Sequence, residues 1–505
     1  MPSTASSGLV TAGWAVVVLY AALMLALVVR GARRNRSLAD YAVGSVAFSP
    51  IAVGLALAAS MTSAATFIIN PGFIALYGLS GVLSYGVVLP LAAVTSLVVL
   101  TKGFRRHGTS VKALSLAQWM GTRYDSRGFG LFFAVLSLLL VTFIVLIVVG
   151  LTKVLSKTLD LGETTVLVGV VVFVFGYMMF GGANSMVYTN TVQAVLMLVV
   201  AFVLLGSGHE HFADGVRGFL GRLRAVDPAL VGPTNAGSFL FRSWFEIVVA
   251  QIVVGVAIVC QPHIITKSLL LKTDRDVNRY LVVGVVTELV FFAVVFTGLY
   301  ARLAFPDLTV GGVALKMDGI IPAYVVHEFP VWLGLVVVMG LISAGLSTLE
   351  GLVQALATTM TSDLVAPLAG RWLPPAGSAA RDRALLAVGR VAIAVLAVVT
   401  IVLSRAQLAA PKLSVAIFAQ NGVYAYFSAA FVPILFGMFL PRTPRPAAVA
   451  AAVTAVVVHF GMSYGRLPVP GTAATGENPG VAACVAILAA LAVGGLLYRR
   501  RGGGA

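Results

Sequence analysis

Cys260 and Cys484 are the only cysteines in this 505-residue chain, and both fall inside apolar runs. A disulfide framework is thereby excluded, and no zinc-ligand spacing exists. Charge is equally scarce. Asp, Glu, Lys and Arg make up 10% of the residues, against about 25% in an ordinary soluble protein. Acidic residues are the scarcer kind, 18 against 34 basic ones, which leaves a net charge of +16. No stretch of the chain reads as a soluble domain.

What is present is apolar. Hydrophobic residues make up 59% of the chain and the mean hydropathy is +1.01. The apolar runs repeat at about 20 residues, long enough to cross a bilayer core. The reading is an all-α, polytopic membrane protein with about thirteen spans: 9–29, 48–78, 80–101, 129–150, 164–180, 186–206, 243–265, 281–304, 330–362, 384–404, 413–440, 446–462 and 481–498. The first run, Leu9–Val29, lacks a basic flank and is too long for a signal-peptide core, so it reads as a retained helix outside the core. Residues 48–440 read as the core, and 446–498 as two C-terminal helices.

With the N-terminus outside and the C-terminus inside, 22 of the 34 Lys and Arg fall in cytoplasmic segments such as "RGARRNR" and "KGFRRHGTSVK". Eleven fall outside, and Arg390 sits within a span. That bias is the positive-inside rule. The basic charge therefore reports topology in a lipid bilayer, and no nucleic-acid partner is expected. In the long outside loop, 207–241, Phe212, Val216, Phe219, Leu220 and Leu223 share one helical face, the pattern of a helix lying on the membrane or capping the bundle. Segments 366–380 and 463–480 read as further loops.

Two spans are interrupted. "ALAASMTSAATFIINPGFIALYG", residues 56–78, carries Ser60, Thr62, Ser63 and Thr66, and then "NPG" at 70–72. Lipid cannot satisfy backbone groups freed by a helix break, so such a break must line a cavity inside the protein. Five crossings later, 243–265 is interrupted at Gln251, Gly255 and "QPH", and it enters from the opposite side. Paired broken helices of opposite orientation suggest an inverted (5+5) repeat with ligands near the midplane.

In "MGLISAGLSTLEGLVQALATTMTSDL", Ala344, Ser347 and Thr348 stand at i, i+3 and i+4 and share a face. Their hydroxyl and carbonyl oxygens, facing carbonyls freed near Ala59–Thr62, would make an oxygen cage for a cation. The same hydroxyls could instead bond back along their own helix or bridge to a neighbour. Spacing alone leaves both readings open.

The stretches "LAASMTSAATF…PGF", "GGANSMVYTNTVQAVLML", "QPHIITK" and "AGLSTLEGLVQALATTMTSDL" resemble the sodium–solute symporter family in order and spacing, over about residues 40–440. The resemblance implies a leucine-transporter-like inverted-repeat core, alternating access, and a small organic solute moved together with sodium. It implies sodium as the coupling ion, no organic cofactor, and a multi-pass place in a bacterial-type plasma membrane. By motif, the sodium ligands are Ala59, Thr62, Ala344, Ser347 and Thr348. Where the family has "TDxxQ", this chain has Thr189-Asn190-Thr191-Val192-Gln193. Asn190 thus lacks the carboxylate that serves a second ion site or the ion's exit path, and bridging helices is its alternative role.

Thr66, Phe67 and Asn70 on the first core helix, Gln251 on the sixth, and Gln420, Asn421 and Tyr424 in "FAQNGVYAYF" are the solute candidates. QPH-type members suggest a carboxylate-bearing solute: pantothenate, a monocarboxylate or an amino acid. Of the ionisable groups in or near spans, Glu246, Glu288, Glu350 and Arg390 are functional candidates because they are costly in lipid. Glu350 points away from the cage and is expected to act as a gate or in helix packing, for example by pairing with a basic group, Asp363 to pair at the cytoplasmic end or meet water, and Glu288 could pair with Arg390. "HEHFAD" at 209–214 is no metalloprotease pair, because His209 and His211 at i, i+2 face apart on a helix. Proton coupling, uniport, a membrane-embedded sensor and a polytopic enzyme are the rival readings.

Overall fold

The computed structural model describes residues 7–45, 47–271, 273–409, 415–440 and 442–502. The first two residues of the expected span 413–440 lie outside these, as do Lys272 and Pro441 of two basic segments.

The chain opens with α1 (Ser7–Ala32). The first broken helix follows as α2 (Pro50–Met61) and α3 (Ala65–Tyr77), bent by 58°. Then come α4 (Leu79–Ser110), α5 (Arg127–Leu159) and α6 (Glu163–Gly206). The second broken helix is α7 (Phe245–Ile258) and α8 (Pro262–Leu270), bent by 57°. It leads into α9 (Asp274–Ala304), α10 (Val331–Leu368), α11 (Ala379–Ala409) and α12 (Val415–Phe439). The last two are α13 (Arg445–Gly465) and α14 (Pro479–Arg500), which pack on each other and on α12, with α14 also against α7. Among the described residues the only sheet pairs Thr309–Val310 with Val313–Ala314. Ten helices are long and apolar enough to cross a membrane singly, or twelve when each bent pair counts once.

α6 is more than one crossing. A straight helix of its 44 residues would run about 66 Å, twice the hydrocarbon thickness. Gly182 breaks it, at φ 61° and ψ −164°. Tyr177 Oη and Gln193 Nε2 both donate to Glu350 Oε1, although a straight helix would set those two residues about 24 Å apart. α6 is therefore a hairpin that folds back at Gly182 into two arms, 163–181 and 183–206, and among the described residues it supplies two candidate crossings.

The first break lies elsewhere than "NPG" suggests. α2 ends at Met61, and Thr62 is extended, at φ −95° and ψ 120°. The chain resumes as a π-helical turn at Ala65–Ile69 and runs straight into Asn70–Tyr77. Pro71 stands in the first turn after the π turn, where the shifted hydrogen-bond register tolerates its missing N–H. The proline is absorbed there and does not kink the helix.

Two close approaches set the core. At Gly54 an added Cβ would lie 2.8 Å from the Tyr280 carbonyl oxygen, and at Gly284 one would lie 3.0 Å from Leu57. These glycines let α9 lie directly on α2. α10 is central: every residue from Met339 to Thr359 is buried, the mark of a helix surrounded on all sides. In the long loop the helix Gly215–Val226 buries Phe219 and Leu223, and Phe212 stacks on Phe219 at 4.4 Å. Val216 departs from the expected face and is 63% exposed.

Candidate cation cage and solute path

The break in α2–α3 faces α10. Ser347 Oγ donates to the Ala59 carbonyl at 2.6 Å and lies 3.2 Å from that of Ala344. Thr348 Oγ1 donates to the Thr62 carbonyl at 2.9 Å and lies 3.2 Å from the same Ala344 oxygen. All five residues expected from the sequence thus meet, each with 0% exposure. The reason is local: a helix end leaves its last carbonyls without intrahelical partners, and α10 presents two hydroxyls one turn from a third carbonyl.

The donor set is three carbonyl and two hydroxyl oxygens, uncharged and hard. It suits a hard, weakly charged cation. Each hydroxyl now hydrogen-bonds a carbonyl; turning its proton outward would leave its lone pairs facing inward beside that carbonyl. Among the described residues no group of three or more His, Cys, Asp or Glu is placed to hold a metal ion.

The acidic residues sort themselves by partner. Glu246 is held by Arg242, Nη2 to Oε1 at 2.7 Å, with further bonds from the Arg242 N–H and Asn478. Among the described residues Glu350 accepts no hydrogen bond from a basic side chain, although the buried Lys267 is close enough to act on it electrostatically. It accepts from Tyr177 Oη at 2.6 Å, Thr189 Oγ1 at 2.5 Å and Gln193 Nε2 at 3.0 Å. These donors come from both arms of the α6 hairpin, which the sequence does not reveal as a hairpin around Glu350. Glu288 is not paired with Arg390. Its two oxygens accept from the Thr62 hydroxyl at 3.1 and 3.0 Å, while Arg390 lies 4.8 Å from the centroid of the Phe180 ring. Asp363 accepts from Ser115 Oγ at 2.5 Å. Asn190 Nδ2 donates to Ser60 Oγ at 2.9 Å, tying α6 to α2 beside the cage.

The solute candidates divide. Ala65 and Ile69 of α3 pack on a small cluster made by Leu146 of α5 with Ala416 and Ala419 of α12. Thr66, Asn70 and Gln420 neighbour those contacts in sequence, and Gln420 lies close to Tyr85, a residue that sequence reasoning missed. Tyr424 lies 4.8 Å from Phe427, ring to ring. Phe67 turns instead into the apolar core, edge-on to Phe291 at 5.7 Å. The Asn421 carbonyl is engaged by His459 of α13 at 3.0 Å. Gln251 is not at the break: its amide nitrogen would lie 3.2 Å from a Cβ on Gly480, so it faces α14.

Two opposed broken helices, a neutral oxygen cage at one of them and a central polar helix define a secondary transporter with a leucine-transporter-like fold. The chain matches the sodium:solute symporter family over residues 41–454, and it belongs to that family. It is 32% identical over 289 residues to the sodium/pantothenate symporter of Escherichia coli (strain K12), a match covering 55% of this chain and 58% of that protein. It is 26% identical over 333 residues to the sodium/pantothenate symporter of Haemophilus influenzae (strain ATCC 51907 / DSM 11121 / KW20 / Rd), covering 65% and 66%. The chain thus spans about three fifths to two thirds of the length of these curated relatives. Its fold matches that of a Na+-coupled sialic acid symporter solved in a substrate-bound outward-open state. The TM-score is 0.76 at 15% identity, covering 96% of this chain and 98% of that one. The family and these relatives are transporters, not enzymes, and the chain is a multi-pass plasma-membrane protein.

Proposed function

We propose that this protein is a sodium-coupled symporter that imports a small carboxylate-bearing solute, such as pantothenate, a monocarboxylate or an amino acid. The observation that carries the proposal is the meeting of Ala59, Thr62, Ala344, Ser347 and Thr348 in one buried oxygen cluster. Sodium bound there supplies a positive charge that bridges the α2 end to α10. The chain's own residues do the rest. The broken backbone offers carbonyls without further cost, because α2 has already ended, and the Ser347 and Thr348 hydroxyls choose between a carbonyl and the ion. Holding α2 against α10 favours one arrangement of the two broken helices and so couples the ion to access. The solute lies beside α3, within reach of Thr66, Asn70, Gln420 and Tyr424, with the Arg-rich ends of the spans on the cytoplasmic side. Family membership and two relatives named sodium/pantothenate symporters support the same reading.

Uptake into proteoliposomes tests it. Labelled pantothenate, lactate and proline are offered with an inward sodium gradient, a proton gradient, or neither. Accumulation of at least one of them on sodium alone is the expected result. Uptake driven equally well without sodium would overturn the coupling.

A further inference from the structure

Three glutamates lie buried within the helical stretches, and one stands apart. Glu246 is neutralised by Arg242, and Glu350 is held by three donors. Glu288 is 1% exposed and accepts only the Thr62 hydroxyl proton, shared between its two oxygens. Among the described residues no Lys, Arg or His forms an ion pair with it. A buried carboxylate with one donor is costly unless a cation stands nearby. The same Thr62 that holds Glu288 by its hydroxyl turns its carbonyl into the cage, towards Thr348. The approach of α9 to α2 at Gly54 and Gly284 is what brings the carboxylate this close.

We propose that Glu288 is the counter-charge of the cation cage. This rests on the sodium-coupled reading given above. The cage itself is neutral, so an ion entering it would be an unbalanced charge in a low-dielectric core. The Glu288 carboxylate balances it from one residue away without displacing any of the five ligands. Its bond to Thr62 also fixes which oxygen of that residue faces the ion: the hydroxyl is committed to Glu288 and the carbonyl is left for the cation. Glu288 is thus a positioning residue, acting through Thr62 and through its field.

The test is equilibrium binding of radiolabelled sodium to the purified full chain, without solute, by a scintillation proximity assay. Glu288→Gln should raise the half-saturating sodium concentration about tenfold or more. Glu288→Asp, which keeps the charge, should recover most of that loss, and a purely structural role would not give such a rescue. Thr62→Val, which keeps the carbonyl but releases the carboxylate, should weaken binding about three- to tenfold. Should Glu288→Gln fail to fold by size-exclusion profile, Thr62→Val decides, and wild-type binding by that folded variant overturns the proposal. Wild-type binding by a folded Glu288→Gln overturns it outright. The double variant Ser347→Ala/Thr348→Ala separates the two readings. If it too binds sodium normally, the cage assignment fails; if it binds poorly while Glu288→Gln binds normally, only the counter-charge fails.

Discussion

The Ser347 hydroxyl donates to the Ala59 carbonyl across 2.6 Å, joining residues 288 positions apart in the chain. This bond and its neighbour from Thr348 to Thr62 are the shortest polar links between the end of α2 and the centre of α10, with a longer one from Ser60 Oγ to the Ser347 carbonyl. Both use carbonyls that the helix end leaves free. A cation at this point would compete for the very oxygens that now hold the two helices together, so ligand and latch are one set of atoms.

Removing either hydroxyl should therefore weaken sodium dependence more than folding. Loss of one oxygen partner to a buried charge costs about 1–3 kcal/mol, equivalent to about a 5- to 150-fold rise in the sodium concentration giving half-maximal uptake. Ser347→Ala and Thr348→Ala, each measured in proteoliposomes at fixed solute, check this. An unchanged sodium curve in both would refute the cage.

Gly182 makes the α6 hairpin, and a side chain there has no room. An added Cβ would lie 2.6 Å from the Tyr41 ring and 2.8 Å from the Tyr41 carbonyl oxygen. The backbone region it occupies is essentially glycine-only and costs other residues about 1–3 kcal/mol, with overpacking adding about 1–3 kcal/mol. Gly182→Ala should lower the melting temperature in detergent sharply or abolish the monodisperse size-exclusion peak. A variant that melts with the wild type would show that the turn is not needed.

The shared face of Ala344, Ser347 and Thr348 was legible from the α-helical repeat, whereas spacing left a helix-bridging role open and the full ligand set, Ala59 and Thr62 included, came from the family resemblance. The solute wall was less legible. In helices buried all round, the apolar pattern carries no direction, so Gln251 and Phe67 could be placed at a depth but not on a side. One faces α14 and the other Phe291. "NPG" misled for a local reason: a π turn just before Pro71 accommodates it. Glu350's partners were hidden because they require the hairpin at Gly182, which apolar periodicity does not show.

Glu350 should be structural. Tyr177, Thr189 and Gln193 all donate to it, and bonds to a charged acceptor are worth about 1.5–3 kcal/mol each. Glu350→Gln puts an N–H₂ among three donors, and the loss should exceed about 3 kcal/mol. The expected outcome is a clear drop in melting temperature, with the sodium half-saturation of the folded fraction within about twofold of wild type. A large sodium shift at unchanged stability would instead place Glu350 in the ion's path.

Voltage should report the solute's charge. One sodium moving down a tenfold gradient and about 100 mV supplies about 3.7 kcal/mol, enough for about 500-fold accumulation of a neutral or zwitterionic solute. For a monovalent anion carried one-to-one the voltage contribution cancels, and only about tenfold remains. If a simple carboxylate is the solute, clamping the membrane potential to zero with potassium and valinomycin should barely change its accumulation. A steep dependence on potential would point to a zwitterion or to additional sodium ions.

The last prediction concerns stoichiometry, and it turns on Asn190. Its amide nitrogen donates to Ser60 Oγ, and its buried oxygen has no partner in the structure. That oxygen is a dipole beside the cage, not a charge. Among the described residues the carboxylate bonded to the "TNTVQ" segment is Glu350, and both of its oxygens already serve Thr189, Gln193 and Tyr177, while Glu288 is held by Thr62 and is assigned above to the cage. A second sodium here would enter a low-dielectric region without a free anion, at a desolvation cost of about several kcal/mol. We therefore expect one sodium per solute and hyperbolic dependence of uptake on sodium. Asn190→Asp would place a carboxylate where the unpartnered oxygen now lies, so it should keep transport and gain a weak sigmoidal component. Labelled sodium and solute fluxes measured together at several voltages give the ratio directly. Two sodium ions per solute in the unmodified protein would refute the single-ion reading.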